Sequence, residues 1–330
     1  MLDFNVGIIG TGKYIPDKII SNHTLETMVD TTDEWITRRT GIKERHLLEE
    51  DVPSYTMGAI AAKQAISDAG ITPEDVDLII ATTEAPDYLS PSMACLIQGE
   101  INAKNAAAFD VNAACTGFVY AMTIAQQFIQ TGYYKHILIV SNEALSRIVD
   151  WKNRSTCILF GDAAGAIVLG KVDKEYGIKE SYIASFGDLG HSITIPCCFV
   201  SEDEKKKRRE GMEHTIWQDG SEVFAFAVRA MTDATNLVLE KAGISINDVD
   251  MVVPHQANLR IINGAAKRLG LNDEQICVIL QDTGNISSAS IPVALDISAK
   301  NGKLKKGDIL VFVAFGGGLT CGSLCLSWGK

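Results

Sequence analysis

The sequence has no surplus of positive charge, no long apolar run and no paired-cysteine motif, and each absence excludes a class of protein. Its 330 residues carry a net charge of −11, which argues against nucleic-acid binding because that function needs a basic surface. No apolar stretch approaches the roughly 18 residues of a transmembrane helix, so we expect no membrane association. The eight cysteines form no CxxC pair and no Cys/His framework, so we expect no metal site.

The first residues, MLDFNVGIIGTG, lack the basic and small-residue features of a secretory signal. We therefore expect a cytoplasmic protein with reduced thiols. The fragment from Gly10 to Gly12 resembles the start of a dinucleotide-binding fingerprint, but Pro16 prevents a helix from starting cleanly behind it. The sequence therefore predicts no nucleotide cofactor.

Two stretches of the chain occur twice at nearly the same offset. SDAGITPEDVDLII at 67–80 matches EKAGISINDVDMVV at 240–253, and HILIV at 136–140 matches DILVF at 308–312. The offsets are 173 and 172 residues, and two independent segments rarely share an offset by chance. The repeat predicts two copies of one unit, which we assign as domains 1–171 and 172–330.

Short apolar strands alternate with helices in both copies, which is typical of an α/β fold with mostly parallel sheets covered on both faces. In the first copy we expect VGIIGTG, helix 55–69, VDLIIATT, helix 92–101, AAAFDV, helix CTGFVYAMTIAQQFIQTG, KHILIVSN and AAGAIVLGKV. In the second copy we expect helix 221–242, VDMVVP, helix 257–269, QICVIL, helix 288–301, DILVFVAF and GSLCLSWG. The charged run at 202–210 is interpreted as a solvated loop.

Three chemically useful side chains follow predicted strands. Cys115 comes after AAAFDV, His255 after VDMVVP and Asn285 after QICVIL. Sites in open α/β sheets form outside the carboxyl ends of the strands, so we expect these three residues to share a site. Taken singly, each has a structural interpretation as a buried thiol, a core histidine or a turn residue.

Cys115 begins a predicted helix among small residues. The helix dipole and unpaired amides favour a thiolate there, so we expect a lowered pKa and the most reactive of the eight thiols. The glycines of FGGGLTCG, at 315–322, would let the backbone approach a ligand and bind an oxyanion. A flexible turn is the alternative.

Several motifs are together similar to those of one family. DTTDEWITRRTGI, NAACTGF, FGDAAGA, VPHQANLRI, GNISSASIP and FGGGLTCG, which lie between residues 30 and 322, resemble the motifs of β-ketoacyl-acyl-carrier-protein synthase III. The resemblance implies the duplicated five-layer αβαβα fold of the thiolase-like superfamily. It implies condensation of an acyl-CoA with malonyl-acyl carrier protein to a 3-oxoacyl product at the start of fatty acid synthesis, in a homodimer without metal or cofactor.

The resemblance also implies residue roles. Cys115 would become a thioester, His255 and Asn285 would stabilise the enolate left by decarboxylation, and the amides of Cys115 and Gly317 would form an oxyanion hole. The positions that match the CoA and pantetheine tunnel are Thr31, Trp35, Arg39, Arg154, Phe224, Asn258 and Arg260.

Arg260, Lys267 and Arg268 are spaced to share one side of the predicted helix 257–269. Since acyl carrier proteins are acidic, we expect this basic patch to dock the carrier, with ordinary solvated charges as the alternative. Ser90 and Cys321 stand where acetyl-specific relatives carry Phe and Trp, which predicts a roomier acyl pocket unless neighbouring side chains refill it. The sequence does not identify the starter.

Three further functions fit parts of this pattern. The order Cys, His, Asn and the 140 residues between Cys115 and His255 fit a papain-like hydrolase. The C-G-[SA]-C-[WY] context of such enzymes is absent, and they have no internal duplication. An acyl-binding scaffold without activity would share the fold, and so would a starter-unit condensing enzyme or acyltransferase of a specialised polyketide-type pathway.

Overall fold

The computed structural model describes residues 3–330. The first half of the chain forms β1 (Phe4–Tyr14), β2 (Lys18–Ser21), α1 (Asn22–Glu26), α2 (Asp33–Thr40), β3 (Glu44–Leu47), α3 (Tyr55–Asp68), β4 (Leu78–Thr82), α4 (Met93–Glu100), β5 (Ala107–Asp110), α5 (Gly117–Gln130), β6 (Ile137–Ala144), α6 (Arg154–Cys157) and β7 (Asp162–Asp173). The second half forms β8 (Gly177–Ser185), β9 (Ile193–Thr194), α7 (Glu202–Lys206), β10 (Trp217–Gln218), α8 (Gly220–Ala242), β11 (Met251–Pro254), α9 (Leu259–Leu269), α10 (Leu280–Thr283), α11 (Ser290–Lys300), β12 (Ile309–Gly316) and β13 (Thr320–Ser327).

The two large sheets have matching strand orders. The first is β1-β7-β6-β4-β5 and the second is β8-β13-β12-β11. In each sheet one strand, β7 or β13, runs against the others, so both sheets are mixed and mostly parallel as expected. The repeated segments end in β4 and β11. Within each segment, a short 3₁₀ turn with a capping box precedes the strand. The expected domain boundary at 171/172 falls within β7, which continues to Asp173. The boundary stays a prediction.

Helices and sheets alternate in five layers. Helices α3 and α4 pack on the outer face of the first sheet, and α8 and α9 on the outer face of the second. Helices α5 and α11 lie between the sheets, where their apolar side chains join strands of both halves in one core. This arrangement confirms the predicted αβαβα fold, and it sets the site at the carboxyl edges of the strands. No helix among residues 3–330 is long and apolar enough to cross a membrane.

The predicted strand QICVIL was wrong. Residues 276–279 make only an isolated bridge to β11, between Ile276 and Val252. The Gln256 side chain takes the place of a neighbouring strand, because its Nε2 donates to Cys277 O at 2.9 Å and its Oε1 accepts from Ile279 N at 3.1 Å. The backbone groups that would form a ladder are therefore satisfied by one buried amide.

The charged run 202–210 is mostly exposed, as expected, but it is not a simple loop. Its first residues form α7, and Arg208 is buried with its guanidinium 2.6 Å from Glu204 and 2.7 Å from the Thr194 carbonyl. Arg209 pairs with Asp150 at 2.8 Å. These pairs hold Arg208 against the second half and Arg209 against Asp150 of the first half, while most other residues of the run are exposed. Strand β1 runs on to Tyr14 with no helix behind it, so the dinucleotide-binding turn does not form.

Candidate active site

One cavity of about 140 Å³ collects the side chains that the sequence analysis grouped together. Cys115, His255, Asn285 and Gly317 all line it. Cys115, His255 and Gly317 follow strands β5, β11 and β12, which end at the same edge of their sheets, and the two sheets face each other across α5 and α11. Asn285 instead follows α10 and is brought to this edge by backbone hydrogen bonds to Leu159 and Gly161. The predicted grouping of these residues is therefore observed, while their roles stay predictions.

Cys115 lies in a tight turn just before α5. Ala114, the residue before it, has a φ of 49°, an unusual conformation for a residue with a side chain. A Cβ on Gly316 would come within 2.8 Å of the Cys115 amide nitrogen. The glycine at the end of β12 is therefore needed for the two backbones to approach each other.

Two backbone amides beside the thiol have no hydrogen-bond partner among residues 3–330. They belong to Cys115 and to Gly317 in the turn between β12 and β13. Free amides at the wall of a cavity can bind an oxyanion, which is the role expected for them.

His255 is buried and held on both sides. Its amide donates to Val313 O at 2.8 Å, its ring meets Phe315 edge-on at 5.3 Å, and its Nδ1 lies 2.8 Å from Ser290 Oγ. Burial lowers the pKa of His255 to about 3. The imidazole is therefore neutral at physiological pH and can act as a hydrogen-bond donor without carrying charge.

Asn285 is tied to the first half of the chain. Its amide donates to Leu159 O at 2.8 Å and its carbonyl accepts from Gly161 N at 3.1 Å. The side-chain Oδ1 accepts from Ser287 N at 2.9 Å. This bond orients the side chain so that its NH₂ group is left to donate into the cavity.

The sequence analysis missed two residues that touch the thiol. Glu84 Oε2 lies 3.6 Å from Cys115 Sγ, and Ser287 Oγ lies 3.2 Å from the sulfur and 2.5 Å from Glu84 Oε2. Glu84 follows β4 by two residues, so it too stands at the carboxyl edge of the first sheet. That position was the available signal, because an acidic residue there adjoins the same crevice as Cys115.

A second carboxylate lies behind the first. Glu143 Oε2 accepts from the Glu84 amide at 2.9 Å, and Ser288 Oγ donates to Glu143 Oε1 at 2.5 Å. Burial raises the pKa of Glu84. Burial, together with the charge of Glu84, raises the pKa of Glu143 to about 8. Two buried carboxylates this close disfavour each other's ionisation.

The lowered pKa expected for Cys115 was wrong. Burial raises the pKa of this thiol well above its ordinary value, the Glu84 carboxylate raises it further, and the hydrogen bond from Ser287 opposes the change. Cys95, Cys197 and Cys198 are exposed. The expectation that Cys115 is the thiol most reactive toward general reagents is therefore not supported.

The residues expected to bind CoA form a cluster beside the cavity. The guanidinium groups of Arg39 and Arg154 lie over the Trp35 ring, 5.2 Å and 4.8 Å from its centre. Asn258 Nδ2 donates to Arg39 O at 3.1 Å, which links this stack to the start of α9. Arg260 covers the Phe224 ring at 5.3 Å.

Two members of this expected set, Phe224 and Asn258, line the cavity itself. Thr31 has a buried Oγ1 without a hydrogen-bond partner in residues 3–330, which is an unsatisfied polar atom next to the stack on Trp35. A route for a long thioester substrate from this stack to Cys115 would therefore pass Phe224 and Asn258.

The basic patch lies on α9 as expected. Arg260, Lys267 and Arg268 are all exposed, and none of them forms a salt bridge within the described range 3–330. Lys267 and Arg268 occupy the last turn of the helix, where positive charge also complements the helix dipole. Their docking role stays a prediction.

The two residues assigned to the acyl pocket do not line it. Ser90 is exposed in the loop before α4. Cys321 is buried against the outer layer that contains α8. Neighbouring residues of a strand face opposite sides, and a Cβ on Gly322 would meet Val119 of α5 at 3.0 Å, so Cys321 points away from the central layer. Neither residue lines a cavity of the single chain, and their role in the acyl pocket stays a prediction.

A larger cavity continues from the site on the other side. It has a volume of about 730 Å³ and shares Glu84, Ile193 and Gly317 with the smaller one. Its apolar wall includes Leu89 and Ile195. Space for an acyl chain therefore exists next to Cys115, but different residues from those expected form it.

Comparison with known proteins identifies the family. The model described as 3-oxoacyl-[acyl-carrier-protein (ACP)] synthase III matches residues 109–187, and the model of its C-terminal part matches residues 239–328. A β-ketoacyl-[acyl-carrier-protein] synthase III of Desulfitobacterium hafniense is 48% identical over 326 residues, 99% of this chain and 98% of that protein. That of Clostridium acetobutylicum is 48% identical over 330 residues, 99% of both chains.

Solved structures identify the same family. The crystal structure of 3-oxoacyl-[acyl-carrier-protein] synthase III from Aquifex aeolicus VF5 superposes with a TM-score of 0.92 at 43% identity, covering 98% of this chain and 100% of that one. This similarity extends over both halves and the site between them. The chain therefore belongs to the 3-oxoacyl-[acyl-carrier-protein] synthase III family, with its duplicated thiolase-like fold.

Proposed function

We propose that the protein condenses an acyl-CoA starter with malonyl-acyl carrier protein, releasing CoA and CO₂ and forming the 3-oxoacyl-acyl carrier protein that begins fatty acid synthesis. The single observation that carries the proposal is the composition of one cavity. A thiol, two neutral hydrogen-bond donors and two free backbone amides surround it in Cys115, His255, Asn285 and Gly317. The chain is an acyltransferase of the condensing type.

The first half-reaction loads the enzyme. The sulfur of Cys115 attacks the thioester carbonyl of acyl-CoA, and the amides of Cys115 and Gly317 donate to the oxyanion of the tetrahedral intermediate. CoA then leaves as its thiol, and the acyl group stays on the enzyme as a thioester. The proposed reaction needs no metal and no cofactor.

The second half-reaction makes the carbon–carbon bond. Malonyl-carrier loses CO₂, and the electron pair of the broken bond forms an enolate whose oxygen accepts hydrogen bonds from His255 and Asn285. For His255 to donate through Nε2, its Nδ1 must accept. The Ser290 hydroxyl lies 2.8 Å from Nδ1 but donates to Ser287 O at 2.5 Å in this structure, so its single proton must turn toward Nδ1 for this step. The enolate carbon attacks the acyl thioester, and the sulfur of Cys115 is released.

Substrate binding is proposed to use the cluster beside the cavity. Trp35 with Arg39 and Arg154 offers a flat ring and two guanidinium groups, which suit the adenine and phosphates of CoA. Phe224 and Asn258 then line the path of the pantetheine arm to Cys115.

The proposal is tested by incubating the protein with acyl-CoA and malonyl-carrier and measuring CoA, CO₂ and 3-oxoacyl-carrier together. Equal amounts of the three products support condensation. Release of CoA with a free fatty acid and no CO₂ would instead indicate a Cys-His-Asn hydrolase. A specialised polyketide-type pathway is not favoured by the comparisons, whose curated relatives are named β-ketoacyl-[acyl-carrier-protein] synthase III.

We also propose that the protein works in the cytoplasm as a homodimer. The exposed apolar side chains of Tyr88 and Leu89, at the rim of the larger cavity, are the kind of surface that a second copy covers. Sedimentation in solution tests this, since a monomer at micromolar concentration would contradict the dimer.

We expect the basic patch on α9 to recognise the acidic carrier. Reversing the charges, in Lys267→Glu with Arg268→Glu, should raise the KM for malonyl-carrier about tenfold or more and leave the KM for acyl-CoA nearly unchanged, because electrostatic complementarity steers the protein substrate. Steady-state kinetics at two salt concentrations measure this. Lys63→Glu, on an exposed part of α3, is the control. Equal effects on both substrates would refute the docking role.

We expect starters longer than acetyl to be preferred, because the larger cavity has room for them. Each buried methylene contributes about 0.8 kcal/mol, roughly fourfold in binding, so two or three added carbons should raise kcat/KM about tenfold or more. Ile195→Trp, which fills space in the cavity wall, should reverse the order. A protein that prefers acetyl-CoA over every longer starter would contradict this expectation.

A further inference from the structure

Glu84 is a half-buried acidic group that the proposed condensation leaves without a role. Its carboxylate lies 3.6 Å from Cys115 Sγ, and it lines both cavities where they meet. The titratable groups that contact it or line the smaller cavity with it are Cys115, Glu143 and His255, and none of these is cationic at neutral pH, since His255 is neutral. The larger cavity adds Asp87, Tyr88, Tyr120, Cys197 and His214, and the cation Arg147 is paired there with Asp87 at 2.8 Å. Within residues 3–330, no cationic side chain forms an ion pair with Glu84.

Loading requires the thiol to lose its proton. Repulsion between negative charges in the site limits where that proton can go. If it left for solvent while Glu84 stayed ionised, two negative charges would face each other at 3.6 Å in a buried site. Such a pair is strongly disfavoured. Transfer of the proton from sulfur to the Glu84 carboxylate keeps a single negative charge in the site, so it avoids this cost.

We propose that Glu84 is a further catalytic residue, which accepts the thiol proton of Cys115 as the sulfur attacks acyl-CoA. The S–H bond breaks, an O–H bond forms on Glu84, and the sulfur electron pair makes the new C–S bond. When the tetrahedral intermediate collapses, the Glu84 proton passes to the departing CoA sulfur, so the carboxylate is restored and no other reactant is needed. The proposal rests on the loading step of the proposed function.

Ser287 is placed to support this transfer. Its φ of 44° is rare for a residue with a side chain, and its hydroxyl lies 2.5 Å from Glu84 Oε2 and 3.2 Å from the sulfur. One hydroxyl can donate to the carboxylate before transfer and to the thiolate after it. The negative charge would thus have a donor at either position.

Burial of Glu84 adds chemical support. The raised pKa of its carboxyl brings the acid closer to the raised pKa of the Cys115 thiol, and it makes the carboxylate a stronger base. The two groups then share one proton over a range of pH, with a constant fraction of the pair present as thiolate and protonated acid.

This sharing gives the wild-type protein a recognisable pH profile. The rate of Cys115 alkylation by iodoacetamide, followed by mass spectrometry of its peptide, should form a plateau around neutral pH and fall as Glu84 becomes protonated. Acyl transfer from acyl-CoA should show the same plateau. A lone thiol of high pKa would instead react tenfold faster with each pH unit.

Glu84→Gln removes the base and keeps the shape of the side chain. We expect its two profiles to lose the plateau and rise tenfold per pH unit, with acyl transfer about 100-fold slower at pH 6.5, the scale that a positioned base contributes. Glu84→Asp retains a carboxylate and should regain the plateau. Glu143→Gln, the matched buried control, should keep the plateau and its acid limb, because Glu143 with its pKa of about 8 carries no charge there and burial raises the pKa of Glu84.

These profiles distinguish a base from a carboxylate that only repels the thiolate. If Glu84→Gln reacts faster than wild type at every pH, Glu84 only repels the thiolate, and the proposal is overturned. An unchanged profile overturns it as well, and so does a wild-type profile without a plateau, which decides the matter even if Glu84→Gln does not fold. Alkylation needs no acyl-CoA, so failure of the proposed function itself would appear separately, as wild-type protein that never acquires the acyl group.

Discussion

Replacing Cys115 by alanine should abolish both acyl loading and condensation. No other thiol lines the cavity with His255 and Asn285 in residues 3–330, so none can accept the acyl group near the second substrate. Removing an enzyme's nucleophile costs on the order of 10⁶-fold in rate. A condensation assay should therefore give no product above background, while acyl-CoA still binds with an affinity within a few-fold of wild type.

Cys95→Ala is the control for Cys115→Ala. Cys95 is exposed on α4 and lines neither of the two cavities, so its removal should leave the rate unchanged. If Cys115→Ala condensed its substrates as fast as Cys95→Ala, the assignment of the nucleophile would be wrong.

His255→Ala and Asn285→Ala should divide the reaction into its two halves. The enolate oxygen that these residues stabilise gains its charge only during decarboxylation. Loss of one such donor lowers the rate by roughly 100- to 1,000-fold, so each variant should lose condensation to that extent. Loading should stay within a few-fold of wild type, because the oxyanion of that step binds to the backbone amides of Cys115 and Gly317.

Single-turnover mixing separates the two steps. Acyl-CoA alone reports loading by CoA release, and later addition of malonyl-carrier reports CO₂ release. His136→Ala, which changes a histidine just before β6 and outside the cavity, should behave as wild type in both. Loss of loading as severe as loss of condensation, in both variants, would show that these roles are misassigned.

The fold could be predicted from the sequence because the pattern that specifies each half is local and occurs twice. The copies around Leu78 and Met251 share the turn, the strand and the order of neighbouring elements, so one offset implied two similar sheets. The grouping of Cys115 with His255 followed from strand ends, since parallel strands bring their carboxyl ends to one edge. Asn285 was grouped with them correctly, although the strand expected before it does not form.

What the sequence did not predict depends on the direction of single side chains and on burial. Cys321 faces α8 and its neighbour Gly322 faces α5, because side chains alternate along a strand. A one-residue change of register would have turned Cys321 toward α5 instead. The Gln256 side chain forms the hydrogen bonds that a neighbouring strand would make. The hydrophobic pattern of the sequence does not predict such a contact. The raised pKa of Cys115 follows from its burial and from Glu84, a contact between residues 31 positions apart.

The measurement that tests the central claim most directly is the site of acylation. The wild-type protein is incubated with acyl-CoA, digested, and its eight cysteines are mapped by peptide mass spectrometry. We predict one acyl group per chain, on Cys115, which disappears when malonyl-carrier is added. An acyl group on Cys95 or Cys321 with Cys115 free, or an acyl group on Cys115 that malonyl-carrier does not remove, would contradict the account.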